Sequence, residues 1–369
     1  MDNEVVIRVL IIDQSLHYRD IFRKALGGMS GVEIVGEAVN SVTAADRVNR
    51  LRPDLVVLDF ELAGSATKEL IENLKKIHPN LDIILVSRKL RTSGRSSVKA
   101  LDLGALYFVR KPERNSIEND VKYFRKYFGP VINLYHVTSS TARVCQASSQ
   151  WHQTRESVQP RSKADRAKLP EYYDILAIGC SLGGPEALYR FIAELPADFP
   201  IPVVIVQHMP TGFTTMLSMN LDAKSKLIVK EAQHGEQLRS GYVYLAPGGR
   251  HLKIKGNSPG IYRAVLDDGP EVNGCKPAVD VLYFSLADSF CGNILAVVLT
   301  GMGSDGFKGV RAMKNNGNCF CITQSKSSCV VYGMPAAIEE AGLSDLSLTI
   351  EQMAAGVVAQ VTKQAVKSS

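Results

Sequence analysis

The run from Ile175 to Ile192 constrains the fold of this chain more than any other stretch. Four apolar residues lead into Gly179-Cys180-Ser181-Leu182-Gly183-Gly184, and a helical pattern follows over 185–192. Strand, tight glycine turn and helix in that order are the building unit of parallel α/β sheets. A serine on such a turn stands out of the sheet. The first N–H groups of the helix are then free to face developing negative charge. That geometry suits a nucleophile. It equally suits a serine that only caps the helix.

The chain has 369 residues, long enough for two domains. No stretch approaches about 18 consecutive apolar residues, so no membrane span is expected. The N-terminus is acidic and carries no secretory pattern, which points to the cytoplasm. Seven cysteines occur without a CxxC pair, and most sit in apolar runs (Cys291, Cys319, Cys321, Cys329). They read as reduced and buried, not as a disulfide frame. The net charge of +6 is carried by the first 171 residues, and residues 172–369 are nearly neutral. The densest basic run, Arg88-Lys89-Leu90-Arg91 with Arg95 and Lys99, has no interleaved aromatics and reads as a solvated loop. Nucleic acid is therefore not an expected partner.

Residues 5–128 alternate between strand and helix signals. Strands are expected at 5–12, 32–38, 55–58, 83–86 and 106–109. Helices are expected at 18–26, 43–51, 68–77, 96–103 and 117–128. Five such units predict a parallel sheet with its site at the carboxyl ends of the strands. Residues 129–171 lose apolar periodicity and read as a flexible linker. A second α/β domain, 172–369, has strand signals at 175–179, 203–207, 242–246, 294–300 and 319–323. Residues 251–255 and 260–266 read as an antiparallel pair.

In the first domain Asp13, Asp59, Ser87 and Lys111 fall at or after four strand ends. Carboxylate oxygens suit a hard divalent cation, while a lysine and a hydroxyl suit phosphate oxygens. On these residues the domain resembles a response-regulator receiver, a flavodoxin-like five-stranded parallel fold. The resemblance implies Asp59 as the phosphorylated residue, with Asp13 and Asp59 at a Mg²⁺ site. Ser87 would be the switch hydroxyl and Lys111 the partner of the acyl phosphate. Two departures stand out. Gln14 occupies the place of a second acid, and Leu62-Ala63 replaces the usual Met-Pro; Gln14 should weaken the metal site.

In the second domain Ser181, His208 and Asp305 each follow an apolar run. Serine, histidine and aspartate are the parts needed for acyl transfer. Their chain order differs from the Ser–Asp–His order of α/β-hydrolases. Each also has a plainer reading: His208 as a backbone-bonded histidine, and Asp305 as a cap of the helix over 307–315. Gly301–Gly306 matches GxGxxG, but no acid follows about 20 residues on as a dinucleotide site would want. Cys180 reads as a small buried residue. His234 and His251 are competing bases, His251 the stronger.

Six stretches carry a resemblance to the CheB family of chemotaxis protein-glutamate methylesterases. They are Ile178–Gly184, Val206–Pro210, Leu245–Gly248, Pro277–Leu282, Thr300–Gly306 and Cys329–Pro335. The implied fold is a receiver followed by a doubly wound α/β methylesterase domain. The implied roles are Ser181 as nucleophile, His208 as general base and acid, Asp305 as orienter and the Met302 N–H as oxyanion donor, with no catalytic cofactor. Leu182 departs from the family's frequent threonine. The implied reaction is hydrolysis of glutamate γ-methyl esters, and deamidation of glutamines, on chemoreceptor helices. A chemotaxis histidine kinase would phosphorylate Asp59 and relieve a receiver that covers the site. The expected state is a monomer. Two other readings stay open: a phosphorylation-insensitive adaptor of a receptor array, and a serine esterase acting on other substrates.

Overall fold

A computed structural model describes residues 6–62, 66–88, 107–112, 116–129, 131–132, 172–258 and 260–362 of the chain. They fall into two compact units. The expected helix at 96–103, all of the basic run after Arg88, Ala63, and residues 130 and 133–171 of the linker lie outside the described residues.

The first unit is built on β1 (Ile7–Ile12), β2 (Val32–Ala38), β3 (Leu55–Asp59), β4 (Asp82–Ser87) and β5 (Tyr107–Arg110). They pair in the order 2-1-3-4-5, every neighbouring pair parallel. β3 is buried along its whole length and β1 at every position but Arg8, because parallel sheets are covered on both faces and their strands run continuously apolar. Helices Leu16–Leu26, Ser41–Leu51 and Thr67–Ile77 begin one or two residues earlier than the apolar periodicity suggests. Residues 117–129 and 131–132 are helical, and Val131 and Ile132 are buried. This packed unit therefore extends beyond residue 128, into the stretch read as linker.

The second unit holds seven parallel strands, in spatial order 346–348, 319–324, 294–298, 175–180, 203–207, 242–245 and 228–231. They are β6 (Ile175–Cys180), β7 (Val203–Gln207), β8 (Ile228–Glu231), β9 (Tyr242–Leu245), β12 (Ile294–Val298), β13 (Cys319–Gln324) and β14 (Leu346–Leu348). An antiparallel pair, β10 (His251–Ser258) and β11 (Ile261–Asp267), stands apart. β8 and β14 were not expected. They are short edge strands with exposed or half-buried positions, so neither carries a continuous apolar run.

β6 is central, flanked by β12 and β7, and all three are fully buried. The helix Val279–Ser289 presses against β6 at Gly179, where an added Cβ would lie 2.4 Å from Val279 Cγ1. Glycine is required there by close approach. The contact brings that helix's N-terminus to the carboxyl edge of the sheet.

Candidate active site

Ser181 follows β6 and is 9 % exposed. Its N–H donates to Thr300 O at 3.0 Å. The Thr300 hydroxyl donates to Leu182 O at 2.9 Å and accepts from Val331 N at 2.8 Å. The turn then enters the helix Gly184–Ile192 through Gly183, whose φ of 76° is left-handed. Gln207, at the end of β7, reaches under the turn and donates from Nε2 to Ser181 O at 2.8 Å.

His208 is the next residue, and its N–H donates to Cys180 O at 3.2 Å. Ser181 and His208 thus leave adjacent strands side by side. Asp305 comes from the loop after β12, on the far side of β6. Its Oδ2 accepts from His208 Nε2 at 2.7 Å.

Asp305 does not cap the helix Phe307–Asn315, whose N-cap is Gly306. It receives instead the first N–H groups of a remote helix, Val279 N at 2.6 Å on Oδ2 and Asp280 N at 3.0 Å on Oδ1. Asn273 Nδ2 adds a third donor at 2.8 Å. Burial works against the charge, but the His208 bond and these donors hold the Asp305 carboxyl below its usual range. Burial likewise works against a charged His208. The bond to Asp305, joined by Cys275, outweighs it and raises the imidazole well above its ordinary value.

Because Nε2 is committed to Asp305, Nδ1 is the atom left to exchange a proton with a hydroxyl. It faces Cys275 Sγ at 3.5 Å. The Ser181 hydroxyl makes no hydrogen bond among the described residues. The Met302 N–H likewise has no acceptor among them, while its neighbour Gly301 is pinned through Val331 O, Gly333 N and Met334 N.

The competing histidines are differently placed. His251 is buried with both ring nitrogens on backbone, Nε2 to Pro270 O at 2.8 Å and Nδ1 from Ala278 N at 3.2 Å. His234 is exposed and sits against Leu266. Burial pushes the Cys180 thiol well up. All six described cysteines are free, but Cys291 is exposed and Cys275 and Cys329 are half-buried. The expectation of uniform burial fails at Cys291 because it stands in the loop between a helix end and β12, outside any packed run.

Asn273 and Cys275 join the site without any chemical motif in the sequence to mark them. They lie in a tight turn closed by mutual backbone bonds between Val272 and Cys275. Asn273 and Gly274 both have positive φ, 52° and 74°. Asn-Gly is the preferred pair for such a turn. That dipeptide was the only available signal, and nothing local shows that the turn closes over His208.

In the first unit Asp13, Asp59 and Lys111 meet. Lys111 Nζ donates to Asp13 Oδ2 at 2.6 Å and Asp59 Oδ1 at 2.7 Å, and all three are buried. Ser87 is set apart from Lys111 by its bond to Glu61 Oε1 at 2.5 Å, an acceptor shared with Arg88 N. Burial, with Glu61 close by, raises Asp59 to about 7 against the pull of Lys111. Gln14 is exposed. Two hard oxygen donors beside a lysine fit Mg²⁺, which keeps several waters and needs only one or two carboxylates.

Two family descriptions match the chain in succession: "Response regulator receiver domain" over residues 9–122 and "CheB methylesterase" over residues 176–357. A protein-glutamate methylesterase/protein-glutamine glutaminase of Desulfotalea psychrophila is 34 % identical over 364 residues, covering 95 % of this chain and 98 % of that one. The protein of the same name from Geobacillus kaustophilus is 37 % identical over 352 residues, with 95 % and 98 % covered. The chain belongs to the CheB methylesterase family. Among solved structures, the Thermotoga maritima CheB methylesterase catalytic domain is 42 % identical. It covers 51 % of this chain and 99 % of its own, with a TM-score of 0.49. Among the described residues of this CheB-family chain, no helix is long and apolar enough to cross a membrane.

Proposed function

We propose that this CheB-family chain hydrolyses glutamate γ-methyl esters, and deamidates glutamines, on the cytoplasmic helices of chemoreceptors. The observation that carries the reading is the 2.7 Å bond between His208 and Asp305, one strand away from Ser181. Ser181 Oγ attacks the ester carbonyl while His208 Nδ1 takes its proton. Asp305 stabilises the imidazolium and keeps Nε2 protonated in the neutral ring. The Met302 N–H supports the oxyanion, a contribution typically about 10²–10³ in rate. Collapse expels methanol with the proton from His208. Water then enters by the same steps and releases glutamate. A glutamine substrate differs only in losing ammonia.

Phosphorylation of Asp59 by a chemotaxis histidine kinase is the proposed control, with Lys111 and Ser87 receiving the phosphoryl oxygens. Asp13 and Asp59 are the residues that would hold Mg²⁺, whose charge offsets that of the incoming phosphoryl group.

Methanol release from methylated receptor tests the reading. Wild type should release methanol and Ser181→Ala should not. Equal release by both refutes the serine mechanism, and none from either supports an adaptor. Asp59→Ala should lose the response to a phosphodonor; an unchanged response refutes control at Asp59.

A further inference from the structure

Among the described residues the ring of His208 has two side-chain hydrogen-bond partners, Asp305 and the half-buried thiol of Cys275, the latter 3.5 Å from Nδ1. Three groups stand in line, Cys275 Sγ, the imidazole and the Asp305 carboxylate. This is the order of partners that activates a thiol for nucleophilic attack. The contact is not a loose encounter. The turn carrying Cys275 is closed by two backbone bonds between Val272 and Cys275, at 3.0 and 2.9 Å. Its second residue, Asn273, is anchored on Asp305 Oδ1 at 2.8 Å and on Asp280 Oδ2 at 2.9 Å. The carboxylate that orients His208 therefore also fixes the turn that presents the thiol.

The hydroxyl of Ser181 provides an independent observation. Ser181 as a residue is 9 % exposed, and its hydroxyl has no hydrogen-bond partner among the described residues, although Ser181 follows the strand next to that of His208. The thiol occupies the ring nitrogen that the hydroxyl would need. The other cysteines differ. Cys180, Cys319 and Cys321 are buried, Cys291 is exposed with no imidazole partner among the described residues, and half-buried Cys329 donates to Gln324 O.

We propose that Cys275 is a peroxide-reactive thiol seated on His208, and that its oxidation shuts the esterase site. The shutting part rests on the function proposed above; the reactivity of the thiol does not. In the step, His208 Nδ1 takes the thiol proton and the sulfur attacks one oxygen of hydrogen peroxide. The O–O bond breaks, and the departing hydroxide takes the proton from His208 to leave as water. The sulfur is oxidised by two electrons to a sulfenic acid and the peroxide is reduced by two. The added oxygen lies against Nδ1, so the ring can no longer accept the Ser181 proton. A small thiol reductant restores the free cysteine.

The experiment uses the full chain. Iodoacetamide labelling at pH 6 is followed separately for Cys275 and Cys291 by peptide mass spectrometry. Exposed Cys291 serves as the reference in the same sample. Cys275 should react about three-fold faster or more, because the imidazole 3.5 Å from its sulfur assists the attack. His208→Gln should remove that advantage. A Cys275 rate at or below that of Cys291 in wild type overturns the proposal. In the second arm, hydrogen peroxide should abolish wild-type methanol release and dithiothreitol should restore it. Cys275→Ser should keep whatever activity it shows untreated. Equal peroxide inactivation of Cys275→Ser and wild type overturns the regulatory part. Absence of methanol release from untreated wild type refutes the esterase reading alone, and the labelling rates still decide on Cys275.

Discussion

Asp305 Oδ2 is shared between a ring nitrogen and a helix: it accepts from His208 Nε2 at 2.7 Å and from Val279 N at 2.6 Å. A single carboxylate thus orients the imidazole and terminates the helix Val279–Ser289. Replacing Asp305 by asparagine keeps the shape but brings an amide N–H to donors that need an acceptor. The imidazole loses the partner that fixes its tautomer. Asp305→Asn should lower kcat by about 10³–10⁴ with a small change in KM, as expected when an orienting carboxylate is lost. Steady-state methanol release checks this. A fall below ten-fold would show that His208 is oriented by something else.

The same bond sets the pH dependence. In the proposed mechanism the neutral ring is the base, and against the effect of burial Asp305 and Cys275 hold the charged form well above the ordinary histidine value. kcat/KM should therefore climb with pH through neutrality and still be rising at pH 8. Stability runs the other way. A folded-state value raised above the unfolded one contributes stability below about pH 6.5, which is lost as pH rises through the folded value. A pH–rate profile that is flat by pH 7 contradicts the assignment of His208 as base.

Gly301 is a packing requirement of the site. An added Cβ would lie 2.3 Å from Met334 Sδ and 2.9 Å from Ser181 Cβ. The methionine can swing aside, but Ser181 sits on a turn bonded to Thr300 and cannot. Gly301→Ala should cost about 1–3 kcal/mol of stability, as overpacking does, and displace the serine. Gly303→Ala is the contrast. Its φ is 82° and the space beside it is open, so it should lose stability through backbone strain alone, of order 1 kcal/mol. Thermal unfolding separates the two, and methanol release should fall more in Gly301→Ala.

These relationships differ in how far the sequence alone reveals them. The strands at the core of the second unit are legible because both faces of β6, β7 and β12 are buried and their residues run continuously apolar. The helix Phe307–Asn315 is legible to the residue because glycine with left-handed φ precedes it and Gly317 follows. Asp305 misleads for the same reason. Its place just before that helix imitates a cap, while its real partners, His208 and Val279, come from elsewhere in the chain. No periodicity encodes that meeting. β8 and β14 escape because edge strands of four and three residues alternate too briefly to register. The Asn273-Gly274 dipeptide announces a turn, but its contact with His208 follows from tertiary packing.

The buried charges of the first unit make opposite predictions for two neighbouring side chains. Lys111 lies between Asp13 and Asp59, each within 2.7 Å of its ammonium. Burial, with Glu61 close by, raises Asp59 to about 7 from an ordinary value of 3.8. Between those two pH values the folded chain binds more protons than the unfolded chain, so stability falls as pH rises through that window. Asp59→Asn removes the cost of the charge and leaves the Lys111–Asp13 pair in place. It should stabilise this unit by about 1–3 kcal/mol at pH 8 and by less at pH 5. Lys111→Met does the reverse: it leaves two buried carboxylates without their cation and should destabilise by about 3–5 kcal/mol. Chemical denaturation of the two variants at pH 5 and pH 8 tests both signs. A loss of stability in Asp59→Asn at pH 8 would mean that the attraction of Lys111 outweighs the burial of the Asp59 charge.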